Sequence, residues 1–543
     1  MSARRYGRRL FWFFFALYAL TSSGNAFRVP DEFEVYFQAE HLVDAGDISV
    51  PQTLAIREAG APILFGKFGA DGRPYAPYGP GVAYLIAPFH VAGRLLARAA
   101  HVPRVPLPEG AAWEFVVGGV TTIAMAFAAA LAVAGFYRAS LALDAPQRQS
   151  VRLAAILGGA TILWPYGTTL YSEAWLAAFF AWAAALLLEA RDGGGNARAR
   201  VIAASALLAA AVLTKPTAVV IAPAFVAAIL IDGRRGDLRS RAKAALALSA
   251  AIALAAGVHA AWNIQRFGNP LDFGYNIAGM IPRPPARSFV LTDVPRGLFV
   301  QLLTPGKSLF VWAPATLPAL LALVRVWRRE RGVAAGLAIA LASALVFYAA
   351  FIFPEGGYAH GPRHLVPLVP LLMLPLAIPG IAVSRRALAV CAAIGCFVCA
   401  LAVTVSFFED QSPAVESTRA PSPYYEAVDP PPGRPAYRYR IDYIPFRFAL
   451  SSGRWLSADR PAGNGPDFFA LHLVRARESL HGGRAIPPWL PWAVSVPWMV
   501  VLIWAGARLR AAILGGDGGN GGDGGNGGDG GDGGDGGTEG RRD

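Results

Sequence analysis

Apolar residues in this chain come in long runs separated by short basic clusters. After Arg4-Arg5-Tyr6-Gly7-Arg8-Arg9 the first run is Phe11 to Leu20, and basic clusters recur at Arg138 to Arg152, Arg191 to Arg200, Arg234 to Lys243, Arg325 to Arg331, Arg385-Arg386 and Arg508 to Arg510. The runs between them predict membrane-spanning helices at about 113–137, 153–170, 173–189, 201–214, 217–231, 244–262, 309–326, 332–353, 365–383, 387–407 and 490–508. Each is near the roughly 17–25 residues that a bilayer requires, or somewhat shorter. With the first run they make twelve spans, and the parity puts the basic clusters and both termini on the cytoplasmic side. No convincing small-x-small cleavage site follows the first run, so it is expected to remain as a span.

One apolar segment falls outside this count. Residues 80–98 hold Pro88, His90, Arg94 and Arg98, and a crossing there would move every later basic cluster outside. The segment therefore reads as a juxtamembrane helix on the outer face, within an extracytoplasmic first loop from 26 to 112. The short runs 201–214 and 217–231 meet at Lys215-Pro216, also on the outer side, and call for burial within a bundle. The expected organisation is a membrane module over 1–407, an extracytoplasmic loop or small domain over 408–489, a last span over 490–510 and a Gly/Asp/Asn-rich cytoplasmic tail over 511–543. That tail cannot bury a core.

Composition agrees with an all-α polytopic bundle: of 543 residues 55% are hydrophobic and 16% charged, and the mean hydropathy is +0.41. The formal charge of +13 could suggest a nucleic-acid partner, but the basic residues lie between apolar runs as membrane anchors, so none is expected. Cys391, Cys396 and Cys399 share one apolar run without accompanying histidines, and read as packed thiols with neither disulfide nor metal.

The expected outer face collects nearly every motif-like string: PDEFEVYFQAEHLVDAG (30–46), RPYAPYGPG (73–81), LYSEAW (170–175), LTKPT (213–217), NIQRFGNPLDFGYN (263–276), LLTPGKSLFVWAP (302–314) and EGGYAHGPRHLVPLVP (355–370). Asp31, Glu32 and Glu173 supply carboxylates there. Lys67, Arg73, Lys215, Arg266, Lys307, Arg363 and His364 supply positive charge and donors. A carboxylate can deprotonate an acceptor hydroxyl or amine, and Arg and Lys can hold a phosphate leaving group. These are the parts needed for glycosyl transfer from a lipid-linked sugar phosphate.

The acidic pair after the first span, YAPYGPGVAYLIAPF, the Ser-Glu string between spans, RFGNPLDFGY and GPRHLVPLVP together resemble the type C glycosyltransferase superfamily. The likeness is to bacterial relatives of protein O-mannosyltransferases and of the lipid A aminoarabinose transferase, over roughly residues 8 to 385. The resemblance implies an integral-membrane hexosyltransferase in the plasma membrane, moving one sugar from a polyprenyl-phosphate donor to a glycan, lipid or protein acceptor at the extracytoplasmic face. It matches Asp31 to the base, Glu32 to its neighbouring acid and Glu173 to a second acid in a later loop. Arg266, Arg363, His364, Lys67 and Arg73 are then the donor-phosphate ligands. Some relatives bind a divalent metal through a DxD-like string where this chain has DEFE, so a divalent metal is the one cofactor the resemblance admits, with no ligand assigned. The WWDYG-type motif of oligosaccharyltransferases is absent, which argues against en bloc glycan transfer.

Each residue also has a structural reading. Asp31, Glu32 and Glu173 suit helix N-termini through capping and the dipole. Lys215 and Lys307, near span ends, read as anchors reaching the membrane surface. Tyr75, Tyr78, Tyr275 and Tyr358 suit an aromatic belt as well as sugar stacking, and His90 and His259 read as structural. A transporter or flippase of lipid-linked sugars, or a non-catalytic assembly subunit, are the rival functions. The transporter predicts inverted repeats and midplane charges, and the sequence shows neither.

Overall fold

A 31-residue helix, Ala112–Ala142, forms the axis of the molecule. At 1.5 Å per residue it is about 46 Å long, more than the thickness of a hydrocarbon core. Its alanines and glycines have little side-chain bulk, which lets three helices pack closely on it: Ala3–Leu20, Gly81–Ala99 and Glu173–Glu189. The computed structural model describes residues 3–26, 29–54, 67–106, 110–191, 195–234, 236–274, 289–351, 353–354, 356–357, 359–381, 383–404, 467–479 and 482–514. The expected 408–489 region before Asp467, the tail from 515, Tyr275 and Tyr358 lie outside the described residues.

Among the described residues six helices are long and apolar enough to cross a bilayer: Ala112–Ala142, Ala197–Thr214, Leu238–Phe267, Arg331–Ala349, Arg385–Thr404 and Leu490–Ala511. Several bare large apolar side chains outward, Leu254 at 71% and Ile503 at 69% exposure among them. In water each such side chain would forgo on the order of 1.5–3 kcal/mol of burial, whereas in lipid it is at home. The chain is a multi-pass, mostly helical membrane protein.

Four expected spans are not single helices. The run 153–170 resolves into the end of Gln147–Gly159 and the single turn Leu163–Tyr166. The run 309–326 divides into Leu309–Trp312, Thr316–Leu321 and Leu323–Arg329. The run 365–383 becomes Arg363–Leu368, Val369–Leu372 and Leu374–Ala377. Proline explains the last two: Pro314 and Pro318 interrupt one, and Pro367, Pro370, Pro375 and Pro379 the other, each removing a backbone donor and crowding the preceding turn. Such irregular backbone survives at membrane depth only when covered by protein, and Leu365, Val366, Leu368 and Leu372 are fully buried. The 217–231 run likewise breaks into the 3-10 turn Pro216–Val220 and the helix Pro223–Ile231.

The segment expected to lie on the outer face forms the helix Gly81–Ala99, with Val82, Ile86, His90 and Ala97 buried on its inner side. Before it, a two-stranded antiparallel hairpin pairs Lys67 with Tyr75 and Phe68 with Pro74. At the other end of the chain, Asp467 N–H donates to the Thr404 carbonyl (3.1 Å) and Phe469 N–H to the Ser22 carbonyl (2.7 Å). The Phe469 ring seats against Gly24 and Gly119, where an added Cβ would overlap it. Gly119→Leu is therefore expected to unseat the helix Phe469–Ser479 and cost about 1–3 kcal/mol, read as a lowered thermal midpoint; a midpoint restored by adding Phe469→Ala would identify the clash as the cause.

Candidate active site

Pro30 starts the helix Pro30–Ala45 after the extended Val29, and places Asp31 and Glu32 in its first turn. The two acids then diverge, because successive helical residues are about 100° apart. Glu32 is fully buried, and its Oε1 accepts from the Leu170 N–H at 3.1 Å, which ties the Leu170–Glu173 segment to this helix. The Asp31 side chain keeps 24% of its surface exposed, and its Oδ1 accepts from Arg363 Nη1 at 2.6 Å.

Glu173 begins the helix Glu173–Glu189 and is fully buried. Its Oε1 accepts from Arg363 Nε at 2.7 Å and from Lys215 Nζ at 2.6 Å, while Oε2 has no hydrogen-bond partner. Arg363 thus bridges both acids through different nitrogens of one planar guanidinium, and its Cζ lies 4.0 Å from the Tyr171 ring centroid. Lys215 is placed by Pro216, which ends the helix Ala197–Thr214 and leaves Lys215 extended (φ −145°, ψ 113°). Burial pushes the Lys215 amine below the ordinary lysine range, against the pull of Glu173.

An aromatic shell supports this four-residue ion cluster. His364 stacks on Tyr348 (4.2 Å between centroids, 5° between planes), and Tyr348 donates from its hydroxyl to Thr217 Oγ1 at 2.8 Å. Tyr166 donates to the His360 carbonyl at 2.8 Å. Lys307, fully buried, donates to the carbonyls of Ala359 (2.6 Å) and Gly357 (3.2 Å) and so orders the loop that precedes Arg363. Lys307→Met fills similar space but strips those carbonyls of this donor. The expected cost is about 1–3 kcal/mol, read as a lowered thermal midpoint; an unchanged midpoint would show that the loop holds itself.

The structure brings Asp31, Glu173 and Arg363 into direct contact, with Glu32 and His364 alongside. It does not bring Lys67, Arg73 and Arg266 into that cluster. Arg266 donates to the Ala76 carbonyl (3.1 Å) and Asn263 Oδ1 (2.9 Å), Lys67 is paired with Asp272, and Arg73 pairs with Asp47 at 2.9 Å on the exposed rim. The Arg266–Ala76 and Lys67–Asp272 bonds fasten the hairpin to the end of the helix Leu238–Phe267, and the Arg73 pair ties it to the segment after the helix Pro30–Ala45. The hairpin string still abuts the site, since Gly79 packs so tightly on the Leu213 and Thr214 carbonyls that a Cβ would lie 2.8 Å from each.

Sequence reasoning passed over Lys215 and Lys307, both read as surface anchors. Neither reaches outward: the Lys215 side chain is 16% exposed and ion-paired, and Lys307 is fully buried. A lysine directly before a proline at a helix end was the signal for Lys215, because the proline fixes the backbone that turns it inward. Among the described residues no three His, Cys, Asp or Glu side chains converge to hold a metal. Between Asp31 and Glu173 stands a guanidinium, which does not suit a divalent metal bridging that pair.

No family model matches the sequence, and no curated protein matches it. Among solved structures the chain is similar to ArnT from Cupriavidus metallidurans bound to undecaprenyl phosphate, at 13% identity and a TM-score of 0.42 over 92% of this chain and 76% of that one. It is also similar to apo ArnT from the same organism (14%, TM-score 0.43, 93% and 75%). A third is the Archaeoglobus fulgidus oligosaccharyltransferase in complex with Zn and sulfate (14%, TM-score 0.43, 80% and 58%). Similarity at this level settles neither a family nor the role of any residue in this chain.

Proposed function

We propose that this protein is an integral-membrane glycosyltransferase that moves a single sugar from a polyprenyl-phosphate donor to an acceptor at the extracytoplasmic face. The observation that carries the reading is the Asp31–Arg363–Glu173–Lys215 cluster: two acids and two cations from four distant stretches of chain, gathered where helices begin and end. Twelve crossings with both termini inside would put this cluster on the outer side, where the region 408–489 would bear on acceptor choice.

Exposure decides between the acids. An acceptor can reach Asp31, which is partly exposed, whereas Glu173 is fully buried behind Arg363 and Lys215. Asp31 is the base, Glu32 and Glu173 are positioning acids, and Arg363 with Lys215 faces the phosphate. Asp31 takes the proton from the acceptor hydroxyl as that oxygen bonds to the anomeric carbon. The bond from that carbon to the phosphate oxygen breaks, its electron pair stays on the phosphate, and polyprenyl phosphate leaves. Donor phosphate drawing Arg363 away from Asp31 would free the carboxylate to meet the acceptor hydroxyl when both substrates are present.

The test is label transfer in membranes containing the protein, using a panel of radiolabelled polyprenyl-phosphate sugars with glycan, lipid and protein acceptors supplied. Donor-dependent incorporation is expected from at least one donor. Consumption of none by well-inserted protein would reject the reading.

A further inference from the structure

Gln38 lies in the helix that carries Asp31, is fully buried, and has no hydrogen-bond partner at either its amide oxygen or its amide nitrogen. Its neighbours Val35, Tyr36, Phe37 and Ala39 are buried hydrophobic groups. A buried amide without partners is costly to the fold, so an apolar residue would suit it better.

Helix geometry relates Gln38 to the site. Seven residues at 3.6 per turn fall only about 20° short of two full turns, so Asp31 and Gln38 share one side of the helix about 10 Å apart. Helical side chains lean toward the N-terminus, which tilts Gln38 toward Asp31. The other side is used for packing: Glu32 accepts from Leu170 N–H, Tyr36 bonds Glu114, and Glu40 accepts from Gln52 and Arg104. On the Gln38 side, His41 Nδ1 meets Ser49 Oγ at 3.1 Å, so the segment after the helix folds back over it.

We infer that Gln38 is a sugar-reading residue, whose amide binds hydroxyls of a pyranose presented to Asp31. The inference rests on the glycosyl-transfer reading for its purpose, but not for its test. An amide offers two N–H donors and a carbonyl acceptor, the complement of adjacent sugar hydroxyls. A site built on such groups discriminates strongly, because a ligand lacking the hydroxyls leaves the amide unpaired. The pyranose belongs either to the acceptor or to the donor.

The experiment compares wild type with Gln38→Leu, full length in nanodiscs, by saturation-transfer NMR with methyl hexopyranosides of gluco, manno and galacto configuration as probes. At least one is expected to bind wild type and to bind Gln38→Leu at least tenfold more weakly, with the thermal midpoint of the variant unchanged or raised. Should the leucine variant unfold, Gln38→Asn, one methylene shorter, is expected to show the same loss. Equal binding to wild type and variant, or no binding of any probe to wild type, would overturn the inference and leave Gln38 to buried water. Donor hydrolysis without acceptor separates the two sources: a raised donor KM in the variant assigns the ring to the donor, and an unchanged one to the acceptor. Absence of transfer with intact Gln38-dependent binding would count against the transfer reading alone.

Discussion

Asp31→Asn is expected to insert, fold and lose transfer by about 10²–10⁴-fold, the usual contribution of a positioned general base. The substitution keeps an oxygen that can accept from Arg363 Nη1, now 2.6 Å from Asp31 Oδ1, and removes only the charge and the proton-accepting capacity. Because the Asp31 side chain is 24% exposed, solvent screening limits the stability lost with that ion pair to about 1 kcal/mol or less. The checks are label transfer and thermal unfolding on the same membranes. Turnover like that of wild type in a well-folded variant would remove Asp31 from the role of base. Glu173→Gln is the informative comparison, since a fully buried acid that meets no acceptor acts only through Arg363 and Lys215.

Arg363→Ala is expected to damage stability as well as activity. Arg363 is the group that joins Asp31 to Glu173, and its loss leaves the buried Glu173 carboxylate with Lys215 alone. Removing one partner from a buried ion pair costs about 3–5 kcal/mol, and the remaining lysine places this case at the lower end. Transfer should fall by at least about 10²-fold, the effect of deleting one donor that stabilises charge on a leaving group. Arg363→Lys separates the two effects. It restores a charge and much of the stability, but a single ammonium cannot reproduce a planar fork that reaches two carboxylates, so activity should stay low. Full activity in Arg363→Lys would mean that charge alone suffices and that the bridge has no role in positioning.

Both predictions depend on which of seven motif strings meet. In sequence all seven sit at expected outer loops, and nothing local distinguishes Arg363 from Arg266, each preceded or followed by turn-forming residues. Packing separates them: Arg363 lies between two acids over Tyr171, while Arg266 spends its donors on Ala76 and Asn263. Lys67 and Arg73 were drawn to the phosphate by sidedness alone, and their partners Asp272 and Asp47 lie more than 200 and about 25 positions away, respectively. Span boundaries show the opposite pattern. Where a run contains no interior proline, as in 113–137 or 387–407, the expected helix and the observed one nearly coincide; where prolines cluster, hydrophobicity persists while the helix does not.

What the sequence determined by itself is the class of protein and the list of chemical parts, because hydropathy and charge clustering follow from residue type alone and bilayer thickness sets the length of each run. It also placed Asp31, Glu32 and Glu173 at helix starts, which proline and local capping preferences decide over a few residues. The tertiary structure decided the rest: that Arg363 bridges Asp31 and Glu173 across more than 300 positions of chain, that Lys215 and Lys307 turn inward, and that Gln38, in the helix that carries Asp31, is buried without a partner. Those outcomes depend on which charged groups find one another when distant segments pack. A buried charge is tolerated only beside its counter-charge, and no single stretch of sequence contains both.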